Sequence, residues 1–168
     1  MKQTLKYIYG LVYDDMKFAE AKHSIVLTFS GAVTAFATTF FGDNTIQNLF
    51  AVASIIFSLI AIIYSFVALV ARNVKIKQKK HIKKEPNLVS YKNIIMFNAG
   101  GYIDLIKKEY SFLSGYKPDK MDIDLAEDII VTSKLAWIKF LYFNLAVIFL
   151  IASIFSIIMA VLIRGNIW

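Results

Sequence analysis

Three stretches of the sequence carry no charged residue over the length of a membrane span. They cover Ser24–Gly42, about 19 residues, Asn44–Ala71, whose apolar part begins near Leu49, and Phe140–Ile163, about 24 residues. A helix needs roughly 20 apolar residues to cross the hydrocarbon core of a bilayer. Because the polar sequence GDNTIQN joins the first two stretches, we expect a helical hairpin and, later in the chain, a third spanning helix.

The composition also indicates a membrane protein. Hydrophobic residues make up 58% of the 168 residues and charged residues 18%, whereas soluble domains average roughly 45–50% and about 25%. The charged N-terminus lacks the apolar core of a signal peptide, so we expect no cleavage. We expect one compact, mostly α-helical module that has the lipid bilayer as a partner.

The positive charges are unevenly distributed. Four lysines precede the first stretch, 14 lysines and arginines lie between the second and third stretches, and Arg164 alone follows the third. The positive-inside rule therefore places the N-terminus and residues 72–139 in the cytoplasm, and the 42–48 turn and the C-terminus outside.

These features predict four parts. Residues 1–23 form an amphipathic helix, residues 24–71 the transmembrane hairpin, residues 72–138 a cytoplasmic sensing and stalk segment, and residues 139–168 the third transmembrane helix with an external tail. Apolar residues among charges in the first part predict a helix at the membrane interface. Packing of this helix against the 72–139 segment is the alternative.

The cytoplasmic segment has two contrasting ends. Its first residues, RNVKIKQKKHIKK at 72–84, are typical of a polybasic stretch that attracts anionic lipid, and a site for a phosphate-bearing ligand is the alternative. Asn93–Phe97 predicts a short strand, so we expect a small α insert with a little β structure, and a helix from about Gly101. The Gly100–Gly101 pair is typical of a turn before a helix, although a helix N-terminus can also hold a phosphate.

The other end of the segment predicts one long helix. Pro118 and Asp119 start it, acidic residues fill its first turns, and no breaker follows up to Ile163. A helix over about 121–163 would be roughly 60 Å long at 1.5 Å per residue. Acidic residues 119–128 packed beside the basic 75–84 stretch would form a stalk.

Small and hydroxyl residues recur at helical spacing along the spans. Such stripes allow close helix packing and predict a tight bundle and a homo-oligomer. The alternative is that the stripe of the first span lines a path through the membrane that widens on activation. Charged residues at the cytoplasmic ends of the spans, here called the lip, either gate this path or only extend their charged groups to the membrane interface. The pore or packing face comprises Ser24, Thr28, Gly31, Thr34 or Ala35, Thr38 and Asn144, and the lip comprises Glu20, Lys22, His23 and Lys139.

The sequence lacks the residue patterns that are typical of common enzyme active sites. There is no cysteine, and the two histidines, His23 and His81, are not paired, so we expect no metal site and no cofactor. No nucleophile or phosphate-loop motif is present. We expect neither an enzyme nor a nucleic-acid-binding protein.

Three segments follow one another along the chain, namely AEAKHSIVLTFSGAVTAF, YKNIIMFNAGGYIDLIKKEY and DLAEDIIVTSKLAWIKFLYFNLAVIF. In sequence and in order they resemble one family, the transmembrane effector domain of Pycsar antiphage defence (PycTM). The resemblance implies an effector in the bacterial inner membrane that senses a cyclic nucleotide, a cyclic pyrimidine mononucleotide in particular, and then impairs the membrane to abort infection. By position, Lys22 would be the lip lysine and Lys139 the stalk lysine.

If the chain senses such a nucleotide itself, the site must lie within residues 72–138. Cations would hold the phosphate and aromatic rings would stack on the base, which selects Tyr91, Lys92, Tyr102, Lys107 and Lys108. Two other functions stay open at this point: a membrane adaptor that binds a soluble partner through the same segment, and a small constitutive channel.

Overall fold

The computed structural model describes residues 1–71, 87–110, 113 and 115–165. Its helices are α1 (Lys2–Ala37), α2 (Thr45–Val70), α3 (Tyr91–Ile94), α4 (Ala99–Glu109) and α5 (Lys120–Gly165), with a 3-10 turn at Thr38–Phe40. No strand occurs in the ranges described. The prediction of a mostly α-helical chain is confirmed.

Three helices are long and apolar enough to cross a membrane, namely α1, α2 and α5. The predicted second span agrees with the bounds of α2 to within a residue at each end. The single helix predicted from about residue 121 to residue 163 is confirmed by α5. Helix α1 continues without a break from Lys2 into the first predicted span, because nothing between the two parts interrupts a helix.

The predicted strand at Asn93–Phe97 is wrong, since helix α3 and a turn occupy this region. The Asn87 side chain accepts hydrogen bonds from the backbone N–H groups of Val89 and Ser90 at 2.9 and 3.2 Å. The Ser90 carbonyl in turn accepts from the Asn93 N–H at 2.9 Å. A short apolar run fits a buried strand and a buried helical turn equally well, and these local hydrogen bonds stabilise the turn. The small insert is therefore helical in the part that the structure describes.

The chain divides into two compact units. We call Met1–Ala19 together with Ala71–Lys139 the insert unit, and Glu20–Val70 together with Phe140–Trp168 the span unit. The basic stretch at 72–84, and with it the predicted stalk, lies outside the described residues.

The insert unit has a hydrophobic core of its own. Leu5, Ile8 and Val12 of α1 are at most 1% exposed and belong to the same buried cluster as residues of α3, α4 and α5. The other cluster members are Leu88, Ile94, Phe97, Ala99, Tyr102, Ile103, Ile106, Leu113, Ala126, Ile129 and Ile130. The buried side of the N-terminal helix is thus covered by protein, which agrees with the alternative of packing against the 72–139 segment.

Two aspartates stabilise the first turn of α5. The Asp119 carboxylate accepts from the Asp122 N–H at 2.9 Å, and the Asp122 carboxylate accepts from the Asp119 N–H at 3.1 Å. This reciprocal pair satisfies two backbone donors at the helix start. The Lys2 ammonium lies 2.9 Å from Asp119, so an ion pair also ties α1 to this turn within the insert unit.

The span unit is packed through small and hydroxyl residues. Helix α2 buries one side of its surface, made of Ala51, Ser54, Ser58, Ala61, Ser65 and Ala68. The Ser58 hydroxyl lies 2.6 Å from that of Thr34 in α1, and the Ser54 hydroxyl lies 2.8 Å from that of Ser153 in α5. Small residues let helix backbones approach closely, and the hydroxyl pairs satisfy polar atoms away from water.

The connection between α1 and α2 is short and polar, as the sequence predicts. The Asn48 side chain donates to the Gly42 carbonyl at 2.7 Å and accepts from the Gly42 N–H at 2.9 Å. The Asn44 side chain accepts from the first backbone N–H groups of α2, those of Ile46 and Gln47. These side-chain contacts cap α2 and close the hairpin.

Candidate functional site

A groove in the insert unit is the best candidate for a ligand site. It has a volume of about 260 Å³ and lies between the turn that precedes α4 and one side of α5. The lining residues are Phe97, Asn98, Ala99, Glu127, Ile130, Val131 and Lys134. The α5 residues share one helix side because positions three, four and seven residues apart lie above one another.

The Asn98 wall of the groove is held by a helix cap. The Asn98 side chain accepts a hydrogen bond from the Gly101 N–H at 2.7 Å and so begins α4. A Cβ atom on Gly101 would lie only 2.9 Å from the Asn98 Oδ1. A side chain at position 101 would therefore have to displace the Asn98 side chain, so glycine favours this close cap.

The Phe97 wall is held by a buried tyrosine. The Phe97 and Tyr102 rings lie 6.2 Å apart, and the Tyr102 hydroxyl donates to the Leu88 carbonyl at 2.6 Å. Burial raises the pKa of the Tyr102 hydroxyl, which keeps it a donor. Because Tyr102 is fully buried, its ring has no free face for a base, and we assign it the role of supporting Phe97.

Two opposite charges line the α5 side of the groove. Glu127 is exposed and Lys134 is half-buried. Neither side chain forms an ion pair with another residue in the part of the chain that the structure describes. One carboxylate and one ammonium group are therefore available to a bound molecule.

The other residues predicted to bind the nucleotide do not line this groove. Tyr91 is half-buried at the start of α3, where burial and then the nearby Asp15 carboxylate raise the pKa of its hydroxyl. The Lys92 ammonium lies 5.9 Å from the centre of the Tyr91 ring. Lys107 and Lys108 occupy the last turn of α4, where cations interact favourably with the unpaired carbonyl groups of the helix end.

The sequence prediction missed Glu127, Lys134, Phe97 and Asn98. Its selection rested on basic and aromatic residues in the middle of the insert, and it interpreted Glu127 as one of the acids in the first turns of the long helix. The seven-residue spacing of Glu127 and Lys134 does predict a shared helix side. What lies opposite that side depends on the tertiary packing.

Two of the lip residues, Lys22 and His23, contact aromatic rings of α5 within the span unit. The Lys22 ammonium lies 5.4 Å from the centre of the Phe140 ring and 5.0 Å from that of Phe143. The His23 ring is fully buried and meets Phe143 edge-on at 5.9 Å. Within the span unit, this cation–π and ring packing connects α1 to α5. Glu20 is half-buried and Lys139 is 3% exposed.

The predicted pore or packing face divides into two sides of α1. Thr34 points into the bundle toward Ser58, whereas Ser24, Thr28, Gly31 and Thr38 are exposed, together with Ala35 and with Asn144 of α5. The exposed Ser24 and Thr28 hydroxyls donate to backbone carbonyls one turn earlier, at 3.2 and 3.0 Å. The outer face of α1 thus carries a stripe of small residues whose hydroxyl groups bond within the helix, and the bulky residues Ile25, Phe29 and Phe36 are exposed on the same helix.

Among the residues that the structure describes, no group of three or more histidine and acidic residues could hold a metal ion.

A model of the PycTM family, the Pycsar effector protein domain, matches residues 4–165 of the chain. The match covers nearly the whole sequence and agrees with the resemblance seen in the three segments. No curated protein and no solved structure gives a significant match.

Proposed function

The chain belongs to the Pycsar effector family, and on this premise we propose that it is an antiphage-defence effector that responds to a cyclic nucleotide by impairing the bacterial inner membrane. The messenger in this proposal is a cyclic pyrimidine mononucleotide, and the result is abortive infection. The observation that carries the proposal is the family match over residues 4–165, since it includes the three apolar helices and the insert unit together. The chain itself acts by binding and not by catalysis.

The proposed orientation places the insert unit in the cytoplasm, where the messenger would be made. The 14 lysines and arginines between the second and third spans support it, because cytoplasmic segments are enriched in these residues. Helices α1 and α5 each supply residues to both units without a break. A ligand that changes the insert unit can therefore act on the spans through two continuous helices.

In the resting state of this proposal the span unit is closed. The Thr34–Ser58 and Ser54–Ser153 hydroxyl pairs and the contact of Lys22 with two phenylalanines support such a state. Interhelical hydroxyl pairs in membranes contribute only about 0.6 kcal/mol on average. Contacts of this size can be separated by the free energy of binding one ligand.

The proposal includes a homo-oligomer that contacts itself through the outer face of α1. The exposed sides of α1, α2 and α5 all carry bulky residues that suit lipid, such as Phe29, Ile63 and Phe155. The outer face of α1 carries Ser24, Thr28, Gly31 and Ala35, and helices associate in membranes through small residues of this kind. Contact between copies at this face would bring the spans of several chains side by side, so that they could disrupt the bilayer as one assembly.

Membrane potential in living cells tests the proposed function. The protein is expressed alone, with a pyrimidine nucleotide cyclase, or with a purine nucleotide cyclase, and a voltage-sensitive dye reports the potential. Depolarisation with the pyrimidine cyclase only is the expected result.

The other outcomes discriminate between functions. Depolarisation without any cyclase would indicate a constitutive channel. An unchanged potential with both cyclases, with the protein present in the membrane fraction, would contradict the proposal and favour a membrane adaptor.

A further inference from the structure

We propose that the groove between the α4 cap and α5 is the messenger site, with Lys134 contacting the cyclic phosphate and Glu127 accepting a hydrogen bond from the base. This inference rests on the proposed function, and it adds the location of the site and the role of each charged group. It replaces the set of lysines and tyrosines selected from the sequence. Its basis is the juxtaposition of two charges, an aromatic wall and an amide around one groove.

The two charges of the groove discriminate between singly and doubly charged phosphate groups. Lys134 supplies one positive charge and Glu127 one negative charge, and neither is neutralised by an ion pair within the described residues. A 3′,5′-cyclic phosphate carries one negative charge, whereas a phosphate monoester carries about 1.5 to 2 at neutral pH. The second charge of a monoester would be repelled by the Glu127 carboxylate, so the groove favours the cyclic form.

The acid also restricts which part of a base can face it. An ionised carboxylate only accepts hydrogen bonds, so the base must present an N–H group to Glu127. Cytosine offers its exocyclic amine and uracil its ring N3–H. The Asn98 side chain carries both a donor and an acceptor, and its oxygen already accepts from Gly101. Its amide hydrogens therefore suit a carbonyl oxygen of the pyrimidine ring.

The size of the groove limits the ligand further. Its volume of about 260 Å³ lies just below the range of roughly 300–1,000 Å³ typical of small-molecule pockets. A volume of this size corresponds to one mononucleotide and not to a cyclic dinucleotide, and the expected preference for a pyrimidine base comes from the proposed function. The apolar residues Phe97, Ile130 and Val131 supply the surface against which a base can pack.

Binding to the full-length protein in lipid nanodiscs tests the inference. Calorimetric titrations use 3′,5′-cyclic UMP, CMP, AMP and GMP, with 5′-UMP as the linear comparison. We expect the cyclic pyrimidine nucleotides to bind most tightly. Lys134→Gln should weaken their binding roughly tenfold to a hundredfold, as expected for the loss of a hydrogen bond to a charged group.

Three further variants separate binding from folding. Lys134→Arg retains the charge and should restore most of the affinity, and Glu127→Gln should reduce the preference for the cyclic nucleotide over 5′-UMP. Lys108→Gln removes the same charge at an exposed position outside the groove and should change the affinity less than about twofold. Circular dichroism of each variant establishes that α-helical structure is retained.

Leakage of dye from liposomes that contain the same proteins distinguishes a failure of the groove assignment from a failure of the proposed function. If cyclic nucleotides cause leakage and Lys134→Gln responds like the unaltered protein, the groove is not the site, although the proposed function stands. If no cyclic nucleotide binds or causes leakage, both are contradicted. If leakage and binding weaken together in Lys134→Gln but not in Lys108→Gln, the groove is the site.

Discussion

The Tyr102 hydroxyl donates a hydrogen bond of 2.6 Å to the Leu88 carbonyl oxygen inside the core of the insert unit. Tyr102 is fully buried and Leu88 is 6% exposed, so water does not replace this contact. The bond joins the segment before α3 to the middle of α4. It also fixes the ring on which Phe97, a wall of the groove, packs.

Replacement of Tyr102 by phenylalanine should therefore lower the stability of the protein. The Leu88 carbonyl would remain buried without its donor, at a cost of about 1–3 kcal/mol. Denaturant unfolding of the detergent-solubilised protein measures the change. Tyr7→Phe removes a hydroxyl at a position that is 66% exposed and should have little effect. Equal stability of both variants would show that the hydrogen bond does not hold the core.

The hydroxyl pair of Ser54 and Ser153 should be coupled in the span unit. A double-mutant cycle with Ser54→Ala and Ser153→Ala is expected to give a coupling free energy of about 0.6 kcal/mol, in the range measured for hydroxyl contacts between membrane helices. Unfolding in mixed detergent supplies the four stabilities. A matched cycle with Ser24→Ala in place of Ser54→Ala should give no coupling, because the Ser24 hydroxyl is bonded to its own helix.

The contact of Lys22 with Phe140 and Phe143 should stabilise the packing of α1 against α5 in the span unit. Lys22→Gln is expected to cost about 1–2 kcal/mol, since a cation near two rings is removed from a partly desolvated position. Lys22→Arg keeps the cation and should be close to the unaltered protein. Thermal unfolding in detergent compares them with Lys6→Gln, an exposed lysine of the same helix. A loss as large for Lys6→Gln would refute a specific role for the two rings.

The ion pair of Lys2 and Asp119 predicts a defined dependence on pH. The hydrogen bond from Lys2 lowers the pKa of Asp119 below its ordinary value of 3.8, and the same bond raises the pKa of Lys2 above 10.5. The Asp119 contribution to stability is thus present above pH 3.8 and is lost as the pH falls through its lowered pKa. The Lys2 contribution is present below pH 10.5 and is lost as the pH rises through its raised pKa.

Lys2→Gln should consequently destabilise the protein at pH 7, and this difference should shrink at low pH, where Asp119 is protonated in both proteins. Urea unfolding at pH 7 and below pH 3 measures the two differences. Lys6→Gln serves as the charge-matched control. A destabilisation by Lys2→Gln that is the same at both pH values would mean that the ion pair makes no contribution.

Bulk added to the outer face of α1 should reduce self-association. A Cβ atom on Gly31 would meet no other atom within 4 Å, so Gly31→Leu leaves the packing within one chain intact while blocking close approach by a second copy. Mass measurements of the protein in detergent or nanodiscs report the oligomeric state. Val52→Leu adds bulk at a 41% exposed position of α2 and should leave association unchanged. Undiminished association of Gly31→Leu would exclude this face as the contact.

The sequence by itself determined the three spans, the hairpin and the unbroken α5. Uncharged stretches of membrane length and the absence of a breaker between residues 120 and 163 are local properties, and a helix is the structure that satisfies its backbone hydrogen bonds within one such segment. The family membership also follows from the order of these segments along the chain, which no tertiary contact is needed to see.

The tertiary structure alone determined which side of each helix is buried and which other segment covers it. The run at 93–97 became a turn because Asn87 and Ser90 supply hydrogen bonds that periodicity does not reveal. Thr34 lies inside the bundle and Thr28 outside it, although both belong to one small-residue pattern. Tyr102, selected as a binding residue, lies in the core, and Lys134 and Glu127 meet the α4 cap in a groove. The physical reason is that burial and contacts between distant segments depend on how the helices pack, and spacing along a single helix does not specify its neighbour.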